Sequence, residues 1–210
     1  MKHMPLLFLG IFFVIAFSFT GIVLVNNRDF ARMKPIPIEE GEQAWPQAIS
    51  GLAQQGKEVY ISQGCLYCHS QQVRRKGFGA DFERGWGDRQ SVPRDYILQK
   101  RVQLGTSRTG PDLMTIGQRQ PSAEWHYLHL YNPQFTSPES VMPPFRYLFE
   151  TRKIRNGQPA PDALRIPATF PNEQPPEGYE IVPTDRARAL IAYLLSLKLQ
   201  YELPESRFSE

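Results

Sequence analysis

The apolar positions along this chain change their spacing several times, and each change predicts a different element. Pro5 to Val25 is an unbroken run of 21 residues without a charge. At about 1.5 Å per residue a helix of that length crosses the roughly 30 Å hydrocarbon layer of a bilayer. Arg32 to Pro37 carries two prolines and reads as an extended linker. From Ala44 to Tyr60 the pattern turns helical, with Leu52, Gly56, Val59 and Tyr60 on one stripe.

Past this point Arg74 to Ser107 is rich in Gly and Arg with little periodicity, which predicts irregular structure and one short helix at Asp95 to Val102. Ser122 to Tyr131 predicts a helix capped by Ser122. Ile154 to Pro183 holds seven prolines, a density that forbids a long helix or a central strand. A last helix is capped by Thr184 or Asp185, with Leu190, Ile191, Leu194 and Leu197 on its apolar face and Pro204 beyond its end.

These elements give a mainly α fold: one N-terminal transmembrane helix, then one helical domain with long irregular loops. The expected division is an anchor at 1–33, a linker at 34–46 and one domain at 47–210 with a proline-rich loop at 151–183. Once the anchor is set aside, the 210-residue chain leaves enough for one ordinary domain. A mean hydropathy of -0.41 alongside such an apolar start makes the remainder polar and loop-rich. A net charge of +3 is too small to suggest nucleic acid as a partner. Its distribution is uneven: residues 70–119 hold ten Lys/Arg against five Asp/Glu, which places cations near the candidate site below.

Lys2 and His3 precede the apolar run, so the positive-inside rule puts the N-terminus in the cytoplasm and the domain outside it. A cleaved signal peptide is the competing reading, with Ala16-Phe17-Ser18 as a weak cleavage site. The apolar run continues seven residues past that site, which favours retention.

Only two cysteines occur, Cys65 and Cys68, and a disulfide between them would close almost no loop. They stand in Cys65-Leu66-Tyr67-Cys68-His69, the pattern in which two thioethers hold a haem c and the adjacent imidazole reaches the iron. A zinc site would need further ligands, and no other cysteine exists to supply them.

A second axial ligand can come from several residues. Met142 sits among Pro138, Pro143 and Pro144, which stiffen the loop that would present its thioether. Met114 is the second choice, with packing as its alternative role. His126 and His129, three apart on one helix face, could ligate iron or bond to backbone or haem propionates instead. Arg108 has the planar donor fork that binds carboxylates in pairs, so a haem propionate, in this chain or in a partner, is its expected target.

Several segments taken together resemble the mono-haem subunit II of cbb3-type cytochrome c oxidases. They are Ser107-Arg108-Thr109-Gly110-Pro111-Asp112-Leu113, Glu124-Trp125-His126, His129-Leu130-Tyr131-Asn132-Pro133, Pro138-Glu139-Ser140 with Met142-Pro143, and the final Ala189 to Leu194 helix. Leu104 stands where that family has tryptophan, and Gly85-Trp86-Gly87 replaces an Arg-Tyr-Gly-like stretch. The resemblance implies a class I-like cytochrome c domain with one covalent haem c on Cys65 and Cys68, iron ligation by His69 and Met142, and the Pro111 carbonyl on the other nitrogen of His69. It further implies electron transfer to a polytopic haem-copper subunit that reduces oxygen, another cytochrome c subunit or carrier as partner, and a bacterial inner membrane with the haem domain in the periplasm. Two alternatives are the cytochrome subunit of a nitric oxide reductase and a free-standing anchored electron carrier.

Overall fold

A computed structural model describes residues 3–155 and 157–207 of the chain. Lys2, on which the orientation expectation partly rests, lies outside the described residues. The structure is mostly helical: a long N-terminal apolar helix precedes a small helical domain with loops. The chain forms two compact units. One comprises the chain through Ala48 together with Val92–Val102, and the other Ile49–Ser91 with everything from Gln103 onward.

In the first unit, helix α1 (Met4–Ser18), a π-helical stretch (Phe19–Leu24) and helix α2 (Val25–Arg32) run on as one continuous helix, Met4–Arg32. None of its residues is buried. Phe12 meets Phe13 edge to face and Phe13 stacks on Phe17, and the Asn26 side chain donates to the Ile22 carbonyl at 2.6 Å. The helix thus extends seven residues past the apolar run, and extended backbone begins at Met33, after Arg32.

Strands β1 (Ile36–Pro37) and β2 (Ala44–Trp45) then pair antiparallel, Ile36 opposite Trp45. The helix expected at Asp95 to Val102 is reduced to a 3-10 turn at Pro93–Tyr96, which the Asp95 carboxylate closes by accepting from Val92 N at 2.8 Å. Arg94 donates to the Lys34 carbonyl at 2.6 Å.

The second unit is built on the crossing of α3 (Gly51–Ser62) and α6 (Asp185–Ser196). Helix α3 begins later than its periodicity suggested because Ser50 caps it, accepting from Ala53 N at 3.2 Å, and residues 44–45 are taken by β2. Gly56, Val59 and Tyr60 face inward as expected, but Ala53 takes the place expected of Leu52, which is exposed. A Cβ on Gly56 would overlap the Ala189 carbonyl, so this glycine sets how closely the helices approach. Tyr60 and Tyr193 fill the crossing edge to face, centroids 5.5 Å apart.

Thr184 caps α6 by accepting from Ala187 N, and ties it to the preceding chain by donating to the Leu148 carbonyl at 2.8 Å. Two further helices, α4 (Ile116–Arg119) and α5 (Ala123–Tyr131), join this core, α5 capped by Ser122 as predicted. The proline-rich excursion is closed at its base by strands β3 (Phe149–Lys153) and β4 (Tyr179–Pro183), paired antiparallel with Thr151 opposite Ile181. Pro183 stands at the end of its strand, where a missing N–H costs least.

Candidate functional site

Helix α3 ends at Ser62, and Gly64, in the left-handed conformation at φ 71°, turns the chain into a 3-10 turn at Cys65–Tyr67. This places Cys65 and His69 on a cleft whose wall is completed by Tyr60, Pro111, Leu113, Trp125, His126, His129 and Met142, with Leu190 and Leu194 of α6 behind. The cleft encloses about 560 Å³ of atom-free space, part of it open to solvent. Its lining is almost wholly apolar.

No disulfide joins the two cysteines; Cys65 is half-buried and Cys68 exposed. Burial pushes the Cys65 thiol up to about 11, so it is neutral in this environment. The His69 imidazole lies with Nδ1 2.8 Å from the Pro111 carbonyl. A carbonyl can only accept, so Nδ1 carries the proton and Nε2 keeps a lone pair for a metal. Burial lowers the tendency of this ring to protonate, opposed by the Pro111 bond and the Asp112 charge. Gly110, beside Pro111, lies so close to the imidazole that a Cβ there would overlap the ring.

Met142 packs at the cleft from a loop built in short steps: Ser140 N donates to the Ser137 carbonyl at 3.1 Å, and Met142 N donates to Ser140 Oγ at 3.3 Å. Glu139 between them adopts φ 63°, a left-handed conformation unusual for a residue with a side chain. Met114 is buried and does not line the cleft.

The two histidines of α5 both reach the cleft and both hold protein partners. His126 Nε2 donates to the Gln120 carbonyl at 2.9 Å. His129 Nδ1 lies 2.6 Å from Thr136 Oγ1, and its ring stacks on Trp125 with centroids 4.7 Å apart. Burial, then the neighbouring His126 and His69, push the His129 pKa down to about 4, so it is neutral at physiological pH.

Arg108 is turned onto carboxylates of its own chain. It donates to Asp81 and to the Gln72 carbonyl, lies 3.5 Å from Asp112, and its guanidinium sits over the Trp86 ring at 5.3 Å. Its side chain is only 14% exposed, so these contacts account for most of its surface. The structure therefore gives the expected carboxylate-binding chemistry to Asp81 and Asp112, two buried acids that sequence reasoning did not single out. An acid between Pro111 and the apolar Leu113 and Met114 was the available signal, because a carboxylate in such a run must find donors.

The donor set fits a haem c: two thiols at attachment spacing, an imidazole nitrogen held toward the cleft, a thioether on its wall and an apolar surround. Fold and cleft together therefore define a class, the membrane-anchored c-type cytochromes. The family model for the cytochrome c oxidase mono-haem subunit, FixO, matches residues 1–168, and the chain belongs to that family. It is accordingly a mono-haem cytochrome c subunit of a cbb3 oxidase, carrying one haem c and transferring electrons to the catalytic subunit. The matched stretch covers the anchor, attachment segment, α5 and Met142, and ends before α6. Among curated proteins, none matches the chain. The family separates this chain from the nitric oxide reductase subunit and the free-standing carrier weighed above.

Proposed function

We propose that Cys65 and Cys68 bind the haem as thioethers, that His69 Nε2 and the Met142 sulfur are the axial ligands, and that Pro111 fixes the His69 tautomer. The observation that carries this reading is the convergence of Cys65, His69 and Met142 on one apolar cleft, with His69 Nδ1 already committed to Pro111. When bound, the haem supplies one reversible electron through its iron. The chain's own residues do the rest: Tyr60, Leu113, Leu190 and Leu194 keep water from one side of the cleft, which favours a rapid change of charge with little solvent reorganisation.

The proposed organisation is an anchor to residue 33, a linker to 46 and a haem domain from 47 with an excursion at 151–183. The N-terminus lies in the cytoplasm and the haem domain in the periplasm of a bacterial inner membrane. Electrons arrive from another cytochrome c subunit or carrier and leave to the polytopic haem-copper subunit. With two protein-held histidines and Met114 set away from the cleft, Met142 is the ligand to test. Met142→His in the purified oxidase should keep the haem low-spin and lower its potential substantially, because methionine ligation raises the potential relative to histidine. An unchanged potential and spectrum would exclude Met142 as a ligand.

A further inference from the structure

The segment that follows His69 and the segment that follows Pro111 are joined by one buried carboxylate. Asp112 is fully buried. Its Oδ2 accepts from Ser70 Oγ at 2.6 Å and Gln72 N at 2.7 Å, while its Oδ1 accepts from Met114 N at 2.8 Å. Backbone bonds flank this junction on either side, Gly110 N to the Cys68 carbonyl at 2.9 Å and Leu113 N to the Ser70 carbonyl at 2.8 Å. Pro111 has no N–H of its own, so the place of its carbonyl is set by what its neighbours hold.

The donors arrive at both oxygens of Asp112, and only a carboxylate accepts at both; an asparagine would present an NH2 to one of them. Burying an anion is costly unless it is fully hydrogen-bonded and balanced. Here three hydrogen bonds and the Arg108 guanidinium meet it. The arrangement therefore specifies a carboxyl group, and not an amide, beside the Pro111 loop.

We propose that Asp112 is a positioning residue for the His69 imidazole. Its carboxylate clamps residues 70–72 to residues 112–114, holds the Pro111 carbonyl on the His69 Nδ1 proton, and so governs how much electron density the ring gives to iron. A hydrogen bond at the far nitrogen of a ligating imidazole raises its basicity and stabilises the oxidised metal. Loosening the clamp should therefore raise the haem potential. The proposal rests on His69 being a haem ligand, and the experiment separates the two.

The test uses the full-length holo-protein in detergent with Ser70→Ala, Ser70→Thr and Asp112→Asn, reading the haem midpoint potential and the NMR exchange rate of the His69 ring Nδ1 proton. Ser70→Ala removes one donor to Asp112 and no charge. It should raise the potential and speed ring-proton exchange about fivefold, the factor for losing one net hydrogen bond. Asp112→Asn should shift both further in the same direction, and Ser70→Thr, which keeps the hydroxyl, should return both to the unmutated values. If Asp112→Asn fails to accumulate, the Ser70 pair decides alone. A Ser70→Ala protein that melts earlier but keeps its potential and exchange rate would overturn the proposal, leaving Asp112 a purely structural acid. His69→Gly is read separately: should it keep the six-coordinate spectrum, the ligand assignment itself falls.

Discussion

Gly110 shows how little room the ligand loop leaves, since any side chain there would occupy the space of the His69 ring. Gly110→Ala must displace either the imidazole or the loop that carries Pro111, and the 2.8 Å bond between them cannot survive both positions unchanged. We expect a lower yield of holo-protein and an altered haem spectrum, measured by absorbance against total protein. A full yield with the unmutated spectrum would mean that the ring can relocate freely. The residues proposed to hold the haem were legible in the sequence because their signal is local: Cys65, Cys68 and His69 fall within five residues, and prolines mark Met142. Asp112 and Ser70 were not, because their roles exist only once segments 42 residues apart meet. Arg108 was half legible: its affinity for carboxylates could be read from its type, but which carboxylates it meets depends on burial that no periodicity encodes.

At the scale of elements, the α3–α6 crossing could be anticipated from a small residue on an apolar stripe, and Gly56 lies against Ala189 and Tyr193 as that logic requires. Gly56→Leu should cost at least about 1–3 kcal/mol through overpacking and reduce holo-protein yield; a normal melting temperature would count against the contact. Boundaries were less legible, because the capping of α3 by Ser50 and the strand at Ala44–Trp45 override a helical pattern that runs through both. The β3–β4 pair was hidden by the prolines of the excursion between its strands, and Glu180 ties its stability to pH. Buried Glu180 accepts from Ala160 N and from Arg152, and these bonds hold its carboxyl below the ordinary glutamate value of 4.5. A depressed native pKa contributes stability that is complete above 4.5 and is lost as the pH falls through the native value. Glu180→Gln should therefore lower the melting temperature at neutral pH, and the difference from the unmutated protein should narrow as the pH falls below 4.5. A gap that stays constant with pH would show that the ionised carboxylate contributes nothing.

For the whole molecule, the decisive feature is that the apolar core and the proposed haem cleft draw on residues from position 49 onward, whereas the long N-terminal apolar helix buries none of its own residues. A core that owes nothing to the helix should form without it. Replacing residues 1–28 by a cleavable export signal, in cells that lack the other oxidase subunits, should yield a soluble domain with the haem attached and the unmutated spectrum. The same replacement should abolish membrane retention, because about 21 apolar residues supply the insertion energy and nothing else described in the chain is long and apolar enough to do so. Fractionation after a salt wash provides the measurement, since salt strips proteins held to the bilayer by charge alone. A truncated domain that still sediments with membranes after that wash would show that the N-terminal helix is not the sole anchor, and that a second membrane-seeking surface lies in the haem domain.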